Sequence, residues 1–289
     1  MRPFGDRVPA WPPLAAVFAL GGALVVAALA PLIAAIPAAI AGLERTSPAI
    51  ALLAAVLTAA GMVGVVCAIA RLTRPVSGEQ LGLRAPDDPA GALLALLAAA
   101  TALGVVAALW AVLGDLRGSL DVPPEIDTRT LTAQIYDLPL REAVPFGPGL
   151  IASALAGCVL PVVAGEILLR GFAFPALCGW KGPIPAALIV SVLFGGLTTL
   201  AGRPGLAVLS MLLGLVLCAL YVATGSLLPG IALASAGSAV ALGFACALAP
   251  AAIAGLALGC ALVSVALGAI PARQGLGAVR RPLLRGSAA

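Results

Sequence analysis

Val162-Val163-Ala164-Gly165-Glu166-Ile167-Leu168-Leu169-Arg170-Gly171-Phe172 sets an acid and a base four residues apart inside an otherwise apolar stretch. Four residues is about one helical turn, so Glu166 and Arg170 share a helix face, with the acid N-terminal to the base. No other acidic or basic residue falls inside the apolar stretches of the chain. A charge at the bilayer centre costs roughly 2.5–3.5 kcal/mol on insertion scales, so such residues face protein or a wet cavity. The pair is therefore the first candidate for a functional site. An absence limits its chemistry: the 289 residues include no histidine.

Around this stretch the chain is 62% hydrophobic and only 10% charged, where a soluble domain carries about a quarter charged residues. Uncharged stretches recur at or near the roughly 20 residues that a spanning helix needs. These features specify an all-α, polytopic membrane protein with about eight transmembrane helices in a single membrane domain over residues 1–289. The expected spans are 14–42, 48–70, 90–114, 148–174, 183–201, 205–223, 227–248 and 251–270. Pro31 and Pro37 point to a kink or an interfacial end in the over-long first span. Between Arg203 and Arg273 there is no charge, and Thr224-Gly225-Ser226 and Ala249-Pro250 divide that stretch into three. Abundant Ala and Gly suit a closely packed bundle. Trp110 and Trp180 are the clearest interfacial anchors.

Net charge is +4, with the cations scattered among loops and tail as topology signals are; no nucleic-acid partner is expected. Met1 to Pro13 is basic and leads into an apolar run longer than a signal h-region, which reads as a retained span. With a cytoplasmic N-terminus, the inside loops carry Arg71, Arg74, Arg84 and Lys181, and a basic tail over 272–289 carries Arg273, Arg280, Arg281 and Arg285. The acid-rich loop 115–147 then lies outside. Both termini are expected to be cytoplasmic, in a bacterial plasma membrane suggested by the Ala/Arg/Gly-heavy, Lys-poor composition. Six cysteines lie in or beside apolar segments with no C-x-x-C spacing, and read as buried thiols rather than a metal or redox cluster.

Gly165-Glu166-Ile167-Leu168-Leu169-Arg170 resembles the E-E-x-x-x-R motif of the CPBP (CAAX protease and bacteriocin-processing, or Abi) family of intramembrane proteases. Leu81-Gly82-Leu83-Arg84 looks like the family's L-G-L-R stretch, and Ser191 to Thr198 looks like its F-x-x-x-H segment, with Phe194 as the aromatic. Thr224-Gly225-Ser226-Leu227 through Ser238 looks like its T-G-S-L segment, which leads into H-x-x-x-N. The likeness covers about residues 79–245 and implies a CAAX-protease-like bundle. In the family, the first glutamate is thought to activate water, while two histidines and an asparagine orient it and hold the oxyanion. Here those positions are Gly165, Thr198, Ala234 and Ser238, and only Glu166 and Arg170 of the motif remain.

Amide hydrolysis needs a base for water and donors aimed at the developing oxyanion. As a lone base Glu166 would be opposed by Arg170, which stabilises the carboxylate. Thr198, Thr199, Ser235 and Ser238 offer hydroxyls without a second base, and one carboxylate is too little for zinc. No cofactor is expected. The preferred reading is a degenerate member: a non-catalytic scaffold or regulator that binds a hydrophobic or prenylated peptide or a partner membrane helix. Glu166 and Arg170 would shape its site, with Thr198, Ala234 and Ser238 lining it. Two alternatives stay open, an active endopeptidase using Glu166 and a small-solute transporter. Plainer readings stand beside these. The pair would fix helix register, Phe194 would be core, Ser235, Gly237 and Ser238 would permit close helix contact, and Arg203 would be a turn residue.

Overall fold

Proline punctuates this chain. The computed structural model describes residues 11–40, 48–73, 77–118, 147–200, 207–246 and 248–274, which form eight helices and no strand. They are α1 (Pro13–Ile40), α2 (Pro48–Thr73), α3 (Pro89–Gly118), α4 (Pro148–Lys181), α5 (Pro183–Leu200), α6 (Ala207–Thr224), α7 (Leu228–Ala245) and α8 (Pro250–Gln274). All but α6 and α7 begin on proline, whose fixed φ suits the first helical position and whose missing N–H would be unpaired there anyway. The start of α3 is also capped: Asp88 Oδ1 accepts from the Ala90 and Gly91 amides at 3.1 and 3.0 Å.

The eight helices fall where the hydropathy pattern puts them, and the chain is an all-helical polytopic membrane protein. Among the described residues, five helices are long and apolar enough to cross a membrane: Pro13–Pro37, Ala49–Thr73, Pro148–Lys181, Ala207–Thr224 and Pro250–Ile270. Shorter apolar segments occupy Pro89–Val105, Pro183–Leu197 and Leu228–Gly243. Large apolar side chains point outward, as on α1 at Leu14, Val17, Phe18, Leu32 and Ile36, while Ala15, Ala19, Ala23, Ala30 and Ala34 turn inward. Small residues let backbones approach, so a Cβ at Gly22 would stand 2.8 Å from Val65, and one at Gly61 would stand 2.5 Å from Val26.

Helix α4 corrects the expectation that the fourth span ends at 174. It runs to Lys181 through two π-helical stretches, Leu155–Val159 and Ile167–Ala173. Each is followed at the second position by a proline, Pro161 and Pro175. Proline normally breaks a helix because its ring meets the carbonyl four residues back. A wide π turn just ahead relieves that conflict, so the helix bends instead of stopping. Gly182, at φ +83°, ends it.

Trp11 is the second departure. In a segment read as a basic lead, it is buried against the Phe172 ring, with centroids 4.8 Å apart. Ser235 is the third. It is more than a small contact residue, because its hydroxyl donates to Ser264 at 2.8 Å and ties α7 to α8. Trp180 is exposed beside Lys181, whose ammonium stands 4.5 Å from its ring, as an interfacial anchor would be. Loop residues 119–146, Arg203, the tail beyond 274 and the Trp110 side chain lie outside the described residues.

Candidate functional site

The π stretch 167–173 is buried throughout, and the ion pair stands at its start. Arg170 Nη1 donates to Glu166 Oε1 at 2.9 Å, with Glu166 4% and Arg170 0% exposed. The acid-before-base order at one-turn spacing expected from the sequence is therefore a real contact. Three other helices enclose it. From α5, the Phe194 ring lies 4.8 Å from the Arg170 guanidinium carbon, a cation–π contact on the flat face. From α6, the Cys218 thiol interacts with Glu166, Arg170 and Ser191. From α7, Gly230 approaches so closely that a Cβ there would stand 3.5 Å from Glu166 Oε2.

Behind the pair, two loops interlock. Leu81-Gly82-Leu83-Arg84 and Thr224-Gly225-Ser226-Leu227 are far apart in sequence. They are joined by Leu227 N–H donating to Gly82 O at 2.8 Å, Arg84 Nε to Gly225 O at 3.1 Å, and Ser226 Oγ to Arg84 O at 2.5 Å. Both turns need glycine: Gly82 has φ +78° and Gly225 φ +63°. A Cβ at Gly82 would also stand 2.7 Å from the Tyr221 ring. The Thr224 hydroxyl donates to Leu220 O at 2.8 Å, and Ser226 Oγ accepts from the Leu228 amide at 3.2 Å, opening α7. The knot rests on Gly171, where a Cβ would stand 2.9 Å from Leu81 O and 3.1 Å from Leu227 Cδ1. Two motifs read separately in the sequence thus form one seat for Arg170-Gly171.

The positions expected to have lost catalytic groups lie on α4, α5 and α7, the helices that carry Glu166, Phe194 and Gly230. Gly165 precedes Glu166, and a Cβ there would meet nothing within 4 Å. Ala234 and Ser238 lie one and two turns along α7 from Gly230, both half-buried and on the side of α7 that Gly230 turns to Glu166. Position 198 is one turn beyond Phe194 on α5, and the Thr198 side chain lies outside the described residues. Among the described residues, no three His, Cys, Asp or Glu side chains cluster as a metal site would require. Sequence reading did not single out Ser191, Cys218 or Gly230. Ser191 lay in the segment resembling F-x-x-x-H, but only packing shows which apolar-helix residues meet an ion pair.

Neither the comparison with curated proteins nor that with solved structures gave a match. The comparison with family models did, over residues 147–240, about a third of the chain: the family is described as type II CAAX prenyl endopeptidase Rce1-like. The matched region starts one residue before α4 and reaches into α7, so it contains Glu166, Arg170, Phe194, Gly230, Ala234 and Ser238. The part of this membrane protein that builds the buried pair is therefore similar to the Rce1-like CAAX prenyl endopeptidases of the CPBP family.

Proposed function

We propose that the protein is a non-catalytic relative of these endopeptidases, a pseudoprotease that holds a hydrophobic or prenylated peptide, or a partner membrane helix, beside Glu166 and acts as a scaffold or regulator. The observation that carries this reading is the state of Glu166. The carboxylate is tied to Arg170 at 2.9 Å, and the other motif positions are Gly165, Thr198, Ala234 and Ser238 rather than a glutamate, two histidines and an asparagine. With Oε1 engaged by Arg170 and no histidine in the chain, Glu166 lacks the partners that amide hydrolysis needs, while two buried Arg170 nitrogens without partners offer donors to a ligand. We further propose a bacterial plasma membrane with both termini cytoplasmic. The ends carrying Arg71, Arg84, Lys181 and Arg273 lie on one side of the helix alternation, in keeping with the positive-inside bias.

The test is a cleavage assay in liposomes with prenylated and unprenylated hydrophobic peptides, run beside photo-crosslinking of the same peptides. The expected result is crosslinking without turnover, with crosslinking weakened in Glu166→Gln. Turnover by the wild type that is abolished in Glu166→Gln would overturn the reading in favour of a lone-carboxylate endopeptidase.

A further inference from the structure

The Arg170 side chain has three nitrogens, and only Nη1 has an oxygen partner; Nε and Nη2 are buried with none. Nε–H and Nη2–H project side by side from one edge of the planar guanidinium, the edge suited to gripping an oxygen acceptor from two donors. The Ser191 hydroxyl, 1% exposed, is also buried without a partner. The Cys218 sulfur neighbours both residues, so the unmet donors of α4 and α5 border one spot next to α6. Sulfur accepts hydrogen bonds weakly and does not replace an oxygen there. Buried donors of this kind are rarely left unmet, least of all on a charged group.

Charge selects the acceptor. Glu166 already balances Arg170, so a second carboxylate would leave one negative charge unmatched in a low-dielectric setting. An uncharged carbonyl oxygen satisfies the donors without that cost. Inside a bilayer most backbone carbonyls are taken up by their own helix. Free ones occur in extended peptides, at helix C-termini and next to proline breaks.

We propose that the Nε/Nη2 edge of Arg170, together with Ser191, is a binding site for an uncharged backbone carbonyl of an extended or helix-terminal hydrophobic peptide. This deepens the peptide-binding reading above and rests on it. The test uses the full chain in nanodiscs and two probes, an N-acetylated tetraleucine amide and its thioamide analogue, in which the carbonyl oxygen is a weakly accepting sulfur. The amide should bind about tenfold more tightly to the wild type, a gap typical of lost hydrogen bonds to a charged donor. In Arg170→Lys, which keeps the charge and removes the fork, the gap should fall below about threefold. Ser191→Ala should weaken the amide about fivefold while leaving thermal stability unchanged, since it removes an unmet hydroxyl. Isotope-edited infrared should show the labelled carbonyl band shifted down in the wild type and not in Arg170→Lys. Equal binding of amide and thioamide, or an unshifted band, would overturn the carbonyl site, with internal water meeting the donors, and leave peptide binding standing. Binding of neither probe would overturn both.

Discussion

Glu166→Gln retains the side-chain shape and an oxygen within reach of Arg170 Nη1, and removes only the charge. The guanidinium is 0% exposed, so the folded protein would hold an unbalanced positive charge away from water. Removing one partner of a buried pair costs about 3–5 kcal/mol. Three features place this case at the lower end. The introduced amide still accepts from Nη1. The Phe194 ring, 4.8 Å away, stabilises part of the charge. The pair is also local: at one-turn spacing it persists when α4 leaves the bundle, so part of its energy is common to both states. Arg170 in the released helix can also reach toward headgroups, which lowers that state and keeps the difference near 3 kcal/mol.

The double replacement Glu166→Leu with Arg170→Met separates charge balance from packing. It removes both desolvation penalties together and conserves volume, an exchange that is neutral or stabilising in other buried pairs. We expect it to lie within about 1 kcal/mol of wild type, with each single replacement costing about 3 kcal/mol or more, so that the singles together exceed the double by at least about 5 kcal/mol. Reversible unfolding in mixed detergent micelles, followed by Trp11 fluorescence, reads all four corners of the cycle. Trp11 suits this role because it packs on Phe172, two residues from Arg170. A double mutant whose cost equals the sum of the singles would refute the reasoning, and would show that Arg170 is held by its aromatic and helical neighbours rather than by Glu166.

Two glycine positions of α4 should respond oppositely in the same unfolding assay: Gly165→Ala stabilises by about 0.5–1 kcal/mol, because the position is helical and open. Gly171→Ala destabilises by about 1–3 kcal/mol, because its Cβ would stand 2.9 Å from the Leu81 carbonyl. Gly82→Ala combines a left-handed backbone at φ +78° with a Cβ 2.7 Å from Tyr221 and should cost at least about 2 kcal/mol, seen as a lower thermal midpoint. Ser226→Ala loses the bond to Arg84 O and the one from the Leu228 amide, an effect of about 1–2 kcal/mol that faster amide exchange at Leu227 and Leu228 would confirm. Ser235→Ala breaks the 2.8 Å bond to Ser264 and should cost only about 0.6 kcal/mol, since a released helix finds other partners in lipid.

The span pattern was legible because it rests on composition: uncharged stretches of fixed length, broken by Gly and Pro. The i, i+4 spacing of Glu166 and Arg170 was legible for the same reason, since one helical turn fixes their common face whatever surrounds them. Four features were not. The extension of α4 past Pro175 depends on π turns, which carry no composition signal and arise where packing tolerates a widened backbone. The burial of Trp11 depends on a contact with Phe172, far away in sequence, which no local pattern encodes. The Ser235–Ser264 bond joins α7 to α8, and helical spacing alone does not say which neighbour a hydroxyl faces. The loops 81–84 and 224–227 were visible as motifs, but their mutual hydrogen bonds were not, because positive φ at Gly82 and Gly225 is a property of the closed turn.

The geometry also restricts how a ligand would reach Glu166. Phe194 covers a face of the Arg170 guanidinium, and the paired loops close off Gly171, with Trp11 beside Phe172 on the same stretch of α4. Cys218 on α6 stands against the pair as well. These groups occupy the α5, α6 and loop sides with bulky or hydrogen-bonded structure. Along α7, by contrast, the series Gly230, Ala234 and Ser238 presents a hydrogen, a methyl and a hydroxymethyl group, and Gly165 has open space where a side chain would begin. There the small residues let α7 close on α4, so that a Cβ at Gly230 would stand 3.5 Å from Glu166 Oε2, and a ligand reaching Arg170 must displace a neighbour on one of these sides.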